Sequence, residues 1–580
     1  MNHELASILL TETIQYSLYV SKKPVYAIFL DAKSAFDRVI KEILMRNLYF
    51  AGTDDHRLLF INNRLSSRHT YCEFDKILMG PIIDSRGLEQ GGISSSDLYK
   101  LYNNEQAEAA QKSQLGVQLD LCSRNIVSCI SLADDAVLVA NEIVDLQNLI
   151  YLTELYCKKY GVELVIDKTK LIAFSVKNDT NVAYVQNTAT IRLNNAEIPF
   201  CDEVVHLGVL RSSGAGNSAS VMDRISAYRK QLFSLLPAGL ASHHQGNPTV
   251  SLKIEKIYCL PVFLSGISTL VLNKSEISLL DKFRKNTLSR LMKLPDTTPD
   301  SFVYFLAGSL STTGFIDLRQ MSLFAMICNL EENILKDHAK NILITSNKSS
   351  KSWFFVLSEI CQIYGLPHPL EMLEKPLSRH TYKKLCWSKV HDYWRAFLCN
   401  DTLKRSSLSL VHTPFMSLVV PHPIWTTLDG NPYQTRAAAV QALLLSGRYR
   451  TERLRRFWTP ENREGFCLES ECFNLKKLED VRHILLLCSA YNCERRRLFA
   501  LATKSAQNFP LRKPILDEYL FNCSDVKIQL QFLLDCSSLP LVVTARQLFG
   551  DHTLQHLFKF TRTWCFMIHK KRMTSLGRPI

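Results

Sequence analysis

Glycine and proline are scarce, at 21 and 20 residues in 580, each under about 4% where roughly 7% and 5% are usual. Collagen-like, proline-rich and linker-dominated chains are excluded, and a helix-rich protein is favoured. A long uninterrupted apolar run is also missing. The most apolar uncharged stretch, Ile257 to Leu272, contains Pro261, Ser265 and Gly266 and falls short of the roughly 18 to 20 residues of a membrane helix. Residues 406–428 form a longer stretch, but Pro414, Pro421 and Pro423 break it. No charged-then-apolar leader opens the chain, and no internal repeat or low-complexity tract is present. The 17 cysteines, an odd number scattered from Cys72 to Cys565, do not read as a disulfide framework. These absences predict a soluble intracellular protein of the cytoplasm or nucleus, without a membrane span.

What is present is an ordinary globular balance, 46% hydrophobic and 21% charged residues, in a chain long enough for three or four domains. Lys+Arg 69 against Asp+Glu 55 leaves a net charge of +14. Such a surplus suits a polyanionic partner, although large basic enzymes carry similar charge.

Leu5, Ile8, Leu9, Thr13 and Tyr16 recur at helical spacing and predict an amphipathic helix packed on a core. Val25 to Leu30 (VYAIFL) is a continuous apolar run between Pro24 and Asp31 and predicts a buried strand, and residues 32–50 look helical. Ile126 to Leu132 and Ala136 to Ala140 flank Ala133-Asp134-Asp135, which predicts a β-hairpin with two carboxylates at its tip. Most of the remainder is helical, from about residue 222 onward between proline breakers, and Thr345 to Ser352 (TSNKSSKS) is the best candidate boundary.

Asp31 at a strand end and Asp134-Asp135 at a hairpin tip would meet if their strands are sheet neighbours. Converging carboxylates are hard oxygen ligands for two Mg²⁺ ions in phosphoryl transfer. Acidic pairs in turns are more often merely solvated, as Asp54-Asp55 illustrates in a loop with no strand on either side.

The ordered set is more specific than any one pair. Phe29-Leu-Asp-Ala-Lys-Ser-Ala-Phe-Asp37, Arg86-Gly-Leu-Glu-Gln-Gly-Gly92, Leu132-Ala-Asp-Asp135, Lys168-Thr169 and His206-Leu-Gly208 resemble, in order, the five palm motifs of reverse transcriptases. The Ala-Phe-Asp ending of the first resembles non-LTR (LINE-type) retrotransposon polymerases. The likeness covers about residues 5–320, including a thumb-like stretch with Leu294-Pro-Asp-Thr-Thr-Pro299. It implies an RNA-directed DNA polymerase with an RNA template, a DNA primer and dNTPs as partners, and two Mg²⁺ ions held by Asp31, Asp134 and Asp135.

By the same resemblance, Phe36 matches the aromatic under the sugar of the incoming nucleotide, which favours deoxynucleotides. Gln90 and Gly91 match the loop against template and nucleotide, where glycine admits close backbone approach. Lys168 matches a lysine near the triphosphate that offers charge or a proton to pyrophosphate. Each has a plain alternative: a core aromatic, an ordinary turn, a surface lysine. Leu132 stands where an aromatic is usual, and Ile93-Ser94-Ser95-Ser96 lacks the prolines common after the second motif. Only 30 residues precede Asp31, so the expectation is a chain truncated at its N-terminus, lacking an endonuclease and most of the fingers.

Cys467, Cys472, His483 and Cys488 supply three thiolates and an imidazole within 22 residues, the donors of a closed tetrahedral Zn²⁺ site. A core histidine among scattered cysteines is the plainer alternative. LINE-type proteins often carry such a knuckle with a following Tyr-x-x-x-Arg tract, which Tyr491 to Arg495 fits; the four-residue gap between the first two cysteines is longer than usual, and Cys493 is a substitute candidate. Arg448, Arg450, Arg453, Arg455 and Arg456 interleave with Tyr449, Phe457 and Trp458, and Arg495-Arg496-Arg497 follow. Arginine with aromatics suits phosphate contact and base stacking on RNA, or else a solvated helix face over core aromatics. His569-Lys-Lys-Arg572 is a short candidate import patch.

The expected fold is α/β: a right-hand polymerase palm, an antiparallel sheet with helices and partial fingers over 1–215, a helical thumb over 216–345, and a helical connector over 346–440. A zinc-knuckle-like module with a basic flank over 441–510 and a helical end over 511–580 complete it. Two other functions stay open: an inactive palm-fold nucleic-acid-binding remnant, and another templated polymerase such as an intron-encoded reverse transcriptase. Oligomeric state is left undetermined.

Overall fold

The computed structural model describes residues 2–66, 69–83, 85–119, 125–176, 179–214, 216–237, 246–331, 333–345, 351–413, 417–456, 464–505 and 512–579. The chain divides into two compact units. One comprises Met1–Arg224, Leu264–Glu276 and Ile316–Cys386; the other comprises Ile225–Phe263, Ile277–Phe315 and Trp387–Ile580.

In the first unit, α1 (His3–Tyr16) is capped by the Asn2 side chain, which accepts from the Leu5 N–H. Its burial runs all round from Glu4 to Ile14 rather than along one stripe, so the expected amphipathic helix is instead an internal one. Its polar side chains are matched inside the core. Arg319 pairs with Glu4 at 2.7 Å, the buried Arg211 guanidinium donates to Ser7 and Thr11, and Glu12 takes bonds from Ser352 Oγ at 2.8 Å and the Trp353 N–H at 2.6 Å. Such pairing is what allows polar groups into a core. Ser352 closes the expected boundary segment, of which residues 346–350 lie outside the described residues.

The strand β1 (Val25–Asp31) lies at the centre of a four-stranded antiparallel sheet. After it come α2 (Lys41–Phe50), α3 (Asp55–Ser66), the hairpin β2 (His69–Phe74) and β3 (Ile77–Ile83), and α4 (Ser95–Lys112). Residues 32–40 are turns rather than the expected helix, which starts only at Lys41. Next are β4 (Cys129–Leu132), β5 (Asp135–Ala140), α5 (Ile143–Tyr160) and β6 (Lys170–Phe174); the sheet order is β4-β5-β1-β6. β1 and β5 read as unbroken apolar runs because both faces of the sheet are buried. Tyr26, Ile28, Leu30, Ala136, Leu138 and Ala140 share a cluster with Leu146, Leu149 and Ile150 of α5. At about 25 cal/mol per Å² of apolar surface removed from water, such a cluster holds the sheet's register, since a one-residue slip would turn these side chains over. A second cluster beside the sheet end gathers Leu44, Leu48, Leu88, Tyr99, Tyr102, Tyr156 and Tyr160.

The second unit is helical where described. The helix Pro432–Leu445, capped by Asn431, packs on the 24-residue helix His552–Ser575. Gln441 of the first donates to Thr561 Oγ1 of the second at 3.1 Å and to Leu533 O of a third helix, Val526–Leu534, at 2.7 Å. Elsewhere in this unit Arg284 and Glu255, each 1% exposed, pair at 3.0 Å. No described helix is long and apolar enough to cross a membrane, and every described cysteine is a free thiol.

Candidate active site and metal centre

The antiparallel register of β1 and β5 runs Tyr26↔Ala140 through Leu30↔Ala136 to Asp31↔Asp135. The carboxylates therefore stand on the last rung of the ladder, where apolar pairing stops. β4 and β5 form the expected hairpin, with Leu132↔Asp135 as its last pair and Ala133-Asp134 as its two-residue turn. Asp135 is the first residue of a strand rather than part of the tip. Ala133 has φ 54°, a left-handed conformation that a two-residue turn of this hand needs and that a non-glycine side chain disfavours.

The Asp135 carboxyl is pushed above the ordinary carboxylate range, first by burial and then by the neighbouring charges of Asp134 and Asp31. Lys168, at the end of a 3₁₀ turn (Ile166–Lys168), brings Nζ to 3.4 Å from Asp31 Oδ2, the lysine side chain largely in solvent and the aspartate half-buried. Among the described residues, the cysteine–histidine cluster below is the one group of three or more metal-ligating side chains whose donor atoms all lie within 4.8 Å of one another. The three aspartates are thus neighbours without a closed coordination shell. Three hard oxygen donors, one of them destabilised as an anion by the other two, match a divalent cation in charge and chemistry.

The two loops ahead of the hairpin meet beside it. Leu88 N–H donates to Phe36 O and Gly87 N–H to Val39 O, each at 2.8 Å, and Gln90 Nε2 donates to both Asp37 carboxylate oxygens at 3.3 Å. Gly91 has φ +83° with nothing within 4 Å of where a Cβ would be. The positive φ is a backbone conformation that glycine adopts freely, and the space beside it is clear of other protein atoms. The Phe36 ring is half-buried and stacks on Tyr99 of α4, centroids 4.8 Å apart at 28°. His206 ends a strand (Glu203–His206) whose hairpin turns at Leu207 and Gly208, both at positive φ. Its ring lies 5.1 Å from Phe29 of β1, and burial together with Arg211 holds its imidazole neutral, down to about 3.

Two residues of α4 were not among those the motifs singled out. Tyr99, 2% exposed, backs Phe36, and burial followed by the charge of Asp134 raises its phenol. Asn103, one turn further, donates from Nδ2 to Ser131 Oγ at 2.9 Å and to Ala133 O at 3.2 Å. The available signal was polar Asn103 on a helix face whose other buried positions are Ser95, Tyr99, Tyr102, Gln106 and Ala110.

In the second unit, Cys467, Cys472, His483 and Cys488 are all buried with their donor atoms clustered. Cys467 Sγ and Cys472 Sγ lie 3.9 and 3.8 Å from Cys488 Sγ. A tetrahedral zinc with Zn–S near 2.3 Å requires S···S edges of about 3.8 Å. His483 Nε2 is buried with no hydrogen-bond partner, a state that a metal would relieve. The Cys488 thiol donates toward Cys467, holding the Cys467 thiol below its usual range and pushing that of Cys488 above. The ligands sit on short elements: a five-residue helix (Ser470–Asn474) holds Cys472, and a π-helical turn (His483–Leu487) closes with the Cys488 N–H donating to His483 O at 2.7 Å. Cys493, the substitute candidate, is exposed and outside the group.

The basic tract divides. Phe457 and Trp458 lie outside the described residues. Tyr449 is 4% exposed and bonds His569 Nδ1 at 2.7 Å, so it is a core residue and offers no stacking surface. Arg495 is buried and donates to Cys488 O and to Asn492 Oδ1, supporting the cysteine cluster rather than facing a ligand. Arg450, Arg453, Arg456, Arg496 and Arg497 are exposed. The candidate import patch is also corrected: Arg572 is fully buried, pairing with Glu479 at 2.6 Å, which leaves Lys570 and Lys571 outside.

Residues 4–200 match the family of reverse transcriptases, RNA-dependent DNA polymerases. This part of the chain is thereby a reverse transcriptase domain, and the enzyme class is RNA-directed DNA polymerase. No curated protein sequence matches the chain.

Proposed function

We propose that the chain is a non-LTR retrotransposon polymerase that extends a DNA primer on an RNA template. The observation that carries this reading is the Asp31↔Asp135 rung with Asp134 beside it. In this reading Asp31, Asp134 and Asp135 hold two Mg²⁺ ions, whose positive charge favours the primer alkoxide and the departing pyrophosphate. The primer 3′-oxygen bonds to the α-phosphorus of the dNTP, the bond to the pyrophosphate oxygen breaks, and the hydroxyl proton passes to water. The Lys168 ammonium, placed by its 3₁₀ turn near Asp31, meets the triphosphate. Phe36, backed by Tyr99, fills the space of a 2′-hydroxyl and selects deoxynucleotides. Gln90 and Gly91 border the template.

The Cys467, Cys472, His483 and Cys488 group holds a structural Zn²⁺, supported by its sulfur spacing and the orphaned His483 Nε2. The exposed arginines 450, 453, 456, 496 and 497 around it contact phosphates of the element RNA. Primer extension with dNTPs and Mg²⁺ on an RNA template tests the reading: wild type extends and Asp134→Asn does not. An inactive wild type, or extension that survives Asp134→Asn, overturns it.

A further inference from the structure

The turn that presents Asp134 is strained and is held from outside the hairpin. Ala133 sits at φ 54°, a left-handed conformation that a residue with a side chain disfavours. Reversing that choice would swing Asp134 and start β5 differently, moving Asp135 off its rung with Asp31. The Ala133 carbonyl accepts from Asn103 Nδ2 at 3.2 Å, and the same amide donates to Ser131 Oγ, two residues earlier, at 2.9 Å. One side chain thereby grips both the last part of β4 and the turn itself.

Asn103 is 7% exposed, on the face of α4 whose Tyr99 stacks behind Phe36. A buried amide of this kind is costly unless its donors are used. Here the acceptors are the Ser131 hydroxyl on β4 and the Ala133 carbonyl in the turn. Asn103 carries no charge and adds no anionic oxygen to the carboxylates, so what it contributes there is orientation.

We propose that Asn103 is a positioning residue for the palm carboxylates: its amide fixes the left-handed Ala133 turn and so aims Asp134 and Asp135 at a shared divalent cation. The inference rests on the polymerase reading of those carboxylates. Residues that orient ligands without touching the metal commonly change metal affinity or activity about 10- to 100-fold when removed.

The test is Mn²⁺ binding to the full chain, followed by electron paramagnetic resonance, in wild type, Asp134→Asn and Asn103→Leu. Asp134→Asn abolishes the palm site, and Asn103→Leu weakens it about tenfold. In primer extension Asn103→Leu needs about tenfold more Mg²⁺ for half-maximal rate, while the dNTP KM at saturating Mg²⁺ stays at the wild-type value. A residue that merely filled space would not separate the two. Wild-type Mn²⁺ affinity in folded Asn103→Leu overturns the assignment. If that variant does not fold, Ser131→Ala, which removes one of the two acceptors of the amide, is read instead: a smaller weakening supports the assignment and unchanged affinity overturns it. Equal Mn²⁺ binding by wild type and Asp134→Asn overturns the metal reading itself, and the role of Asn103 with it.

Discussion

Asp31 and Asp135 face each other across the final rung of the ladder between β1 and β5, with Asp134 next in the chain. The apolar pairs below them fix the spacing of two carboxylates that repel each other. The repulsion appears in Asp135, whose carboxyl is raised by burial and by both neighbouring anions. A group with a raised folded pKa binds its proton more tightly in the folded than in the unfolded state. Metal-free stability therefore falls as pH rises from the ordinary carboxylate pKa to the raised value, and the full cost is present above it. Asp135→Asn is expected to raise the metal-free Tm at pH values above the raised carboxyl pKa and to flatten this pH dependence. Mn²⁺ or Mg²⁺ is expected to raise the wild-type Tm and to have little effect on Asp135→Asn. Thermal denaturation across pH with and without metal checks both, and a lower metal-free Tm in Asp135→Asn contradicts the repulsion.

Lys168 lies 3.4 Å from Asp31 and is mostly solvent-exposed, so its removal should leave the fold intact. In the polymerase reading its ammonium serves the triphosphate, and proton donation or charge of this kind contributes about 10²- to 10⁴-fold. Lys168→Met is expected to lose about 10²-fold in single-turnover dNTP incorporation with an unchanged Tm. Loss of less than a few-fold would assign the lysine to solvent.

The strands and the hairpin were legible because both faces of the sheet are buried: VYAIFL and AVLVA cannot be exposed runs, and the acidic break between β4 and β5 had to be a turn. The five motifs linked Asp31, Asp134 and Asp135 through resemblance, and the pairing of β1 with β5 supplies the sheet neighbourhood their meeting required. What stayed hidden depended on contacts distant in sequence. The burial of α1 on every side follows from partners such as Arg211 and Arg319, some 200 to 300 residues away. Arg495 read as an RNA contact and Arg572 as part of an import patch because local sequence shows charge but not the Cys488 carbonyl that accepts from the one or the Glu479 that neutralises the other. The role of Asn103 stayed hidden because an asparagine on a helix's buried face carries no mark of the carbonyl it holds.

The cysteine cluster should behave as a closed structural site. The purified chain is expected to contain about one zinc per molecule by metal analysis, and Cys472→Ser to contain almost none. Structural zinc commonly supplies the folding energy of its module, so chelation should open residues 464–505 to proteolysis while the polymerase unit stays resistant. A chain prepared with zinc present that carries none, yet resists protease in that segment, would return the cluster to ordinary core.

Arg572 ties the last long helix to this module. Its guanidinium is fully buried, donating to Glu479 at 2.6 and 3.0 Å and to Arg450 O at 3.2 Å, while the Glu479 carboxylate also accepts from the Glu452 N–H at 2.7 Å. Removing one partner of a buried pair leaves the other charged and uncompensated, at a cost of about 3 to 5 kcal/mol. Arg572→Met is expected to destabilise the second unit by that amount in denaturant unfolding. Arg572→Met with Glu479→Gln should recover part of it, because the second change removes the stranded anion. If the double variant is as unstable as the sum of the two single changes, then the guanidinium acts through its bond to Arg450 O and not through the carboxylate. If Arg572→Met is neutral in stability but impairs nuclear import, the tail is an address after all and the burial of Arg572 does not govern it.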